Sequence, residues 1–213
     1  MTYHPTRFWE YPWILREVER RMESRASTAV DFGAGKSPIP IGLSRLGLSC
    51  VVADPGVEKD GRLPGGEWEW TDYGRWGIET KRAGIEDAVV APEALGFAIC
   101  VSVIEHLPGE VRRAGIRQLA AALEPGGAAV LTVDLVGDTG RLSRWCLGEE
   151  VEPADDHGTI DDLIREAAEA GLTLERRTHC PLTGRRKTAA GESDGVISVD
   201  GLVFPKQQAG SAR

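Results

Sequence analysis

The sequence predicts an α/β fold: a doubly wound, mainly parallel sheet of seven strands with an antiparallel C-terminal edge strand. Two observations point there. Short apolar runs alternate with amphipathic segments through most of the 213-residue chain, a pattern that parallel strands and their crossover helices produce. The chain then ends in two consecutive strand-like runs without a helix between them, which is how an antiparallel neighbour enters such a sheet.

The elements follow in order. Residues 8–25 carry Trp9, Trp13, Ile14, Val18 and Met22 near the helical period, and Pro12 falls where a first turn tolerates it. Thr28–Phe32 is a short apolar run and reads as a buried strand. Residues 39–46 read as a helix ended by Gly47, and Ser49–Ala53 as a second strand stopped by Asp54-Pro55-Gly56. Residues 57–77 are rich in glycine and lack apolar periodicity, so a loop or short irregular helix is expected around Trp68, Trp70, Tyr73 and Trp76. Residues 78–83 and 96–101 supply the third and fourth strands. An amphipathic helix over 109–123 is closed by Pro125-Gly126-Gly127, and 128–133 is the fifth strand. Residues 159–170 form a helix with Thr159 or Asp156 as cap and Gly171 as stop. Runs at 172–178 and 197–204 are the last two strands, with 184–195 a mobile hairpin loop and 207–213 a frayed tail.

Length and composition bound the function. With 41% hydrophobic and 27% charged residues, the chain is that of a soluble globular protein. It suits one domain, 1–213, divided into an N-terminal helical cap (1–26), a ligand-binding half (27–135) and a substrate-side insertion with the C-terminal strands (136–213). A formal charge of −8 argues against nucleic acid and anionic membranes as partners, and the arginine pairs are scattered. No signal peptide or membrane-length apolar run is evident. Cys50, Cys100, Cys146 and Cys180 are far apart with no metal-ligand spacing, so free thiols, no metal and a reducing cytoplasm are expected.

The chemistry concentrates in AVDFGAGKSPIP, residues 29–40. It is a strand, a glycine turn and a helix start, and ligands of open parallel sheets bind at the carboxyl ends of such strands. Gly33 and Gly35 permit backbone angles and close approach that a Cβ forbids. Asp54 ends the second strand, where a carboxylate can accept both hydroxyls of an adenosine ribose. A dinucleotide loop would place a third glycine where Pro38 stands, and a pyrophosphate would be repelled by Asp31. An acid at Asp31 suits a ligand carrying an amine or a sulfonium.

These residues resemble the class I S-adenosylmethionine-dependent methyltransferases, most closely between Thr28 and Asp134. Asp31-Phe32-Gly33-Ala34-Gly35 resembles the family's first motif, with Ser37 where many members have a third glycine. Asp54, followed by Pro55, matches the ribose-binding acid. Gly84-Ile85-Glu86-Asp87 resembles the segment bordering adenine. Val101-Ser102-Val103-Ile104-Glu105-His106-Leu107-Pro108 resembles the exit of the fourth strand, and Glu124-Pro125-Gly126-Gly127 the approach to the fifth. Two departures are Gly96 in place of an acid at the fourth strand and the absence of the Asn/Asp-Pro-Pro-aromatic motif of enzymes acting on nucleobase amines. The resemblance implies a Rossmann-like fold, S-adenosylmethionine as cofactor and S-adenosylhomocysteine as product. It implies cofactor contacts from Asp31, Gly33, Ala34, Gly35, Asp54, Pro55, Ile85, Glu86, Asp87, Ser102 and Val103.

Methyl transfer is an in-line displacement in which alignment does much of the work, and a base is needed only when the acceptor must lose a proton. His106 is the first candidate base, His157 the second, and Asp134 at the fifth strand's end faces the same rim. Glu105 is expected to hold structure or to orient a neighbour. Trp9 and Trp13 are expected in the core. Tyr11, the Trp68–Trp76 stretch (Trp70 above all) and Trp145 are expected to form an acceptor wall, a lid or a contact in a homodimer. The expected activity is methyl transfer to oxygen or nitrogen of a small molecule in a biosynthetic or tailoring pathway. Alternatives are a non-catalytic adenosylmethionine-binding or scaffold protein, a methyltransferase acting on a macromolecule with a partner subunit, and a nicotinamide-dependent oxidoreductase.

Overall fold

The computed structural model describes residues 6–22, 27–58, 63, 72–136, 139–142, 158–181, 185–187 and 193–207, with backbone alone for 185–187 and 193–197. The helices are α1 (Arg7–Arg21), α2 (Ile39–Arg45), α3 (Gly109–Ala122) and α4 (Ile160–Glu169). The strands are β1 (Thr28–Phe32), β2 (Ser49–Ala53), β3 (Glu79–Lys81), β4 (Leu95–Val101), β5 (Leu123–Val136), β6 (Arg176–Cys180), β7 (Arg185–Lys187) and β8 (Ser193–Pro205). They form one sheet in the order β3-β2-β1-β4-β5-β8-β6, with β7 paired to β8. The first five of that order run parallel, and β8 is antiparallel to both β5 and β6. The expected antiparallel C-terminal strand is therefore present. It is threaded between β5 and β6, so β6 becomes the outer edge of the main sheet.

Apolar side chains leave both faces of the central strands, as a sheet covered on both sides requires. On one face Val30, Phe32, Cys100, Leu131 and Leu202 pack with Ile116, Leu119 and Leu163 of α3 and α4. On the other, Ala29, Val52, Ile99, Val130 and Val203 pack with Ile14, Val18, Ile39 and Leu43 of α1 and α2. Trp9 and Trp13 stack with ring centroids 5.5 Å apart. A Cβ on Gly201 would stand 2.6 Å from the Trp13 ring, so α1 lies flat on β8 only because that position has no side chain. α4 starts with a capping box: Thr159 Oγ1 accepts from the Asp162 N–H and Asp162 Oδ2 accepts from the Thr159 N–H. α3 and α4 are clamped by a buried pair, Arg112 Nε–Glu166 Oε2 at 2.8 Å and Arg112 Nη2–Glu166 Oε1 at 3.0 Å.

Four boundaries differ from the sequence reading. α1 ends at Arg21, not residue 25. The expected turn Pro125-Gly126-Gly127 is a bulge within β5: pairing with β4 leaves at Leu95↔Leu123 and resumes at Phe97↔Ala128, while Lys206 exchanges backbone hydrogen bonds with Gly126 and Gly127. The sixth strand spans Arg176–Cys180, because Leu172 and Leu174 are core-packing residues ahead of it. The stretch 184–195, read as a mobile loop, contains β7 and the start of β8 paired in an antiparallel ladder. Cys146 and the tail from 208 lie outside the described residues, and Cys50, Cys100 and Cys180 are free thiols. Among the described residues no helix is long and apolar enough to cross a membrane.

Candidate active site

The glycine turn follows β1 with Gly33 at φ +67° and Gly35 at φ +51°, left-handed conformations that L side chains rarely adopt. What lies against Gly33 is Val103: a Cβ there would stand 2.7 Å from Val103 Cγ2. Gly33 thus allows the loops after β1 and β4 to touch. At Gly35 a Cβ would meet nothing within 4 Å, so backbone angle alone demands glycine.

Asp54 organises the turn. Its Oδ2 accepts from the Gly35 N–H at 2.9 Å and its Oδ1 from the Gly56 N–H at 2.7 Å. A carboxylate has about four lone-pair sites, so acceptance of ribose hydroxyls remains open to it. Tyr73 supports the turn from behind. It is fully buried, and its hydroxyl stands 2.7 Å from the Ser37 carbonyl oxygen and 3.0 Å from that of Gly35. Tyr73 is therefore a strut under the glycine turn and not part of a lid, which corrects the reading of that aromatic stretch at this residue. Trp76 is exposed, with the Arg45 guanidinium over its ring at 5.5 Å. Tyr73→Phe should cost about 1–2 kcal/mol of stability, since it strands two carbonyls. A melt should show a loss of roughly 2–8 °C.

Beside the turn lies a cleft of about 400 Å³ lined by Gly33, Pro55, Ile85, Glu86, Asp87 and Val103, together with Arg82, Ala83, Gly84, Leu107 and Val111. The first six were named from four separate stretches of sequence. Asp87 Oδ2 accepts from the Gly84 N–H at 2.8 Å and so shapes the cleft's own wall.

Of the remaining candidates, Asp31 and Ser102 lie near α1. Asp31 is 1% exposed, and both its carboxylate oxygens lack a hydrogen-bond partner. Burial pushes its carboxyl well above the usual range, the Asp54 charge adds to this, and Arg7 opposes it. Ala34 is buried beneath the turn. Ser102 and Asp134 are buried, with Ser102 Oγ standing 3.3 Å from Asp134 Oδ1. Tyr11 is half-buried, the Arg7 guanidinium 5.9 Å from its ring centre. His106 stands on a single 3-10 turn after β4, its Nε2 3.9 Å from Glu105 Oε1, and it is not among the residues lining the cleft. Glu105 Oε1 also accepts from the Asp134 N–H at 2.9 Å, so its carboxyl lies between His106 and the Asp134 backbone. Burial, with the nearby Asp134 charge, raises the Glu105 carboxyl well above its ordinary value, and Oε2 has no partner. His157, Trp70 and Trp145 lie outside the described residues. Among the described residues, no three His, Cys, Asp or Glu side chains group as a metal site.

Two residues were missed by sequence reasoning. Glu10 of α1 is wholly buried, and Arg7 pairs with its Oε2 at 2.8 Å. The signal was present: Glu10, Ile14, Glu17 and Val18 share one helical face, so two acids interrupt an otherwise apolar stripe. Arg7 and Asp31 together offer a cation and an unpaired acid near one another, a donor set that fits both poles of an amino-acid group.

A parallel sheet carrying a glycine turn, a second-strand acid and one cleft at its carboxyl end defines a nucleoside-binding Rossmann-like protein. A family model described as a methyltransferase domain matches residues 7–187. The chain belongs to the class I S-adenosylmethionine-dependent methyltransferase family and is an enzyme of that class. No curated protein matches the sequence. Among solved structures it is similar to the 1,6-didemethyltoxoflavin-N1-methyltransferase of Burkholderia thailandensis, which holds 1,6-didemethyltoxoflavin and S-adenosylhomocysteine. That likeness has 16% identity and a TM-score of 0.64 over 97% of this chain and 84% of the other. It is similar to a SAM-dependent methyltransferase of Methanosarcina mazei (13%, TM-score 0.63, 98% and 100% covered). It is also similar to a protein described for converting a disulfide bond into a thioacetal group during echinomycin biosynthesis (18%, TM-score 0.62, 94% and 83% covered). At these identities the likeness is one of fold.

Proposed function

We propose that the protein methylates an oxygen or nitrogen atom of a small molecule, in a biosynthetic or tailoring reaction of the cytoplasm. The observation that carries this reading is the cleft, where six residues from four stretches of sequence meet. The small-molecule acceptor of the Burkholderia neighbour supports it. When bound, S-adenosylmethionine supplies a methyl group already activated on a sulfonium. The chain's part is to bind, to orient and to handle a proton. Asp54 and Pro55 hold the ribose side, and Ile85, Glu86 and Asp87 border the base. Gly33, Ala34 and Gly35 pass beneath the amino-acid portion, whose ammonium Asp31 holds and whose carboxylate Arg7 holds. Ser102 and Val103 close the wall after β4. His106, with Asp134 beside it through Glu105, accepts the proton of an acceptor that carries one, and His157 is the second candidate. Tyr11, Trp70 and Trp145 contact the acceptor.

Calorimetric titration with S-adenosylmethionine and S-adenosylhomocysteine tests the cofactor half. Wild type should bind both, and Asp54→Ala should bind roughly ten- to hundredfold more weakly, the loss expected when bonds to a charged acceptor go. A turnover screen against hydroxylated and amine metabolites then tests the acceptor half. His106→Ala should lower turnover about 10²- to 10⁴-fold while leaving S-adenosylhomocysteine affinity in place. Wild type that binds neither ligand at millimolar concentration would sink the reading.

A further inference from the structure

Helix α1 reaches the rim of the sheet through one side chain. Glu10 is 0% exposed, and its Oε1 accepts from Ser102 Oγ at 2.5 Å and from Thr132 Oγ1 at 2.6 Å. Its Oε2 receives Arg7 Nη1 at 2.8 Å. A carboxylate buried in this way is satisfied by three donors, from α1 itself, from the turn after β4 and from β5.

Ser102 is unusual in its own right. Its φ is +47°, a left-handed backbone that a residue with a Cβ adopts only when its surroundings over-determine it. Three contacts bear on it: its N–H donates to the Thr132 carbonyl at 3.0 Å, its hydroxyl donates to Glu10 Oε1, and its Oγ lies at the longer distance of 3.3 Å from Asp134 Oδ1. The next residue is Val103, whose methyl groups lie over Gly33 and which lines the cleft. The direction in which the chain leaves Ser102 therefore sets where Val103 stands against the glycine turn.

We propose that Glu10 is a positioning residue for the cofactor cleft. It holds Ser102 in its left-handed conformation, and through that backbone it places Val103 against Gly33. It does so from α1, a helix that contributes no residue to the lining of the cleft. The claim rests on the reading of the cleft as the cofactor's, and it predicts that an acid of α1 governs cofactor affinity without touching the cleft.

The test uses the full chain as wild type, Glu10→Ala and the double variant Glu10→Ala/Ser102→Gly. Glycine adopts a positive φ at no steric cost, so it should supply the backbone that the carboxylate otherwise enforces. S-adenosylhomocysteine affinity should fall about tenfold in Glu10→Ala, the size of a lost hydrogen bond to a charged group. In the double variant, where Arg7 lacks its partner just as in Glu10→Ala and the Ser102 backbone still closes the wall, affinity should recover about threefold or more over Glu10→Ala, while the melting temperature stays low because the buried bonds to Thr132 and Arg7 are still missing. A merely structural Glu10 would leave affinity and melting temperature to fall together, with no recovery. Amide hydrogen exchange gives a reading without any ligand: exchange at the Ser102 N–H should quicken in Glu10→Ala and slow again in the double variant. If the double variant resembles Glu10→Ala in both measurements, or if Glu10→Ala resembles wild type, the proposal is overturned. If wild type fails to bind while exchange behaves as stated, the fault lies in the cofactor reading and the positioning of the turn by Glu10 stands.

Discussion

Replacing Asp31 by Asn should stabilise the ligand-free protein and cripple cofactor binding. Asp31 has no hydrogen-bond partner for either oxygen, and its burial penalises the charged form. Its folded-state pKa is raised, so the native state holds the proton more tightly than the unfolded chain does. The associated stability is complete below the unfolded carboxylate pKa of about 4 and is lost as pH rises through the higher folded value. Asn carries no charge to bury, so the advantage of Asp31→Asn should be smallest below about pH 4 and grow as pH rises from there, by about 1–2 kcal/mol. That corresponds to roughly 2–8 °C in melting temperature. Affinity for S-adenosylmethionine should meanwhile drop ten- to hundredfold, the worth of a charge-assisted hydrogen bond. Wild-type binding should also release a proton, seen as a dependence of calorimetric enthalpy on buffer ionisation, and the variant should release none. A stability difference independent of pH would show that the charge of Asp31 is compensated in some other way.

Glu166→Ala should produce the largest loss of stability. Arg112 and Glu166 are buried and joined by two hydrogen bonds between α3 and α4. Removing Glu166 takes two charge-assisted hydrogen bonds from a buried guanidinium, with a cost of about 3–5 kcal/mol. The melting temperature should fall by roughly 6–20 °C. The double variant Arg112→Met/Glu166→Leu should recover most of this, because an apolar pair of similar volume avoids the desolvation penalty. Recovery in the double variant separates loss of pairing from loss of packing. A single variant within 1 kcal/mol of wild type would mean that Arg113, 3.7 Å from Glu166, marks a site wet enough to solvate Arg112.

The parts of the fold that were legible are those where burial leaves a chemical trace. Thr28–Phe32 and Ser49–Ala53 are short apolar runs bounded by turn residues, and their limits agree with the structure to the residue. β6 carries Arg176, Arg177 and His179 because it is an edge strand, where Arg177 and His179 reach the buried Asp200 and Arg176 reaches Glu17. The run 172–178 reads as a strand, so β6 is caught at Arg176–Thr178 and missed at His179 and Cys180, while Leu172 and Leu174 ahead of it are apolar because they pack on the core. β7 and the start of β8 are likewise hydrophilic and were taken for loop. In the site, backbone angle and spacing pointed to Gly33, Gly35 and Asp54, while Ile85, Glu86, Asp87 and Val103 were named through the resemblance of their stretches to the family. Tyr73, Arg7 and Glu10 had no such mark. Their roles depend on which loop or strand end lies opposite, and that is decided by the sheet order.

The position of β8 bears on how the molecule is made. Its nine-residue ladder with β5 fills an inner slot of the sheet, yet it is the last strand to be synthesised. A ribosome adds about 5–20 residues per second, so the roughly 70 residues after β5 leave its outer edge unpaired for several seconds or more. For that interval the nascent chain presents an apolar strand with open backbone groups, the feature that invites pairing with another chain. The parallel half can gather early through near neighbours in sequence, but the domain becomes closed to its surroundings only when its final strand arrives.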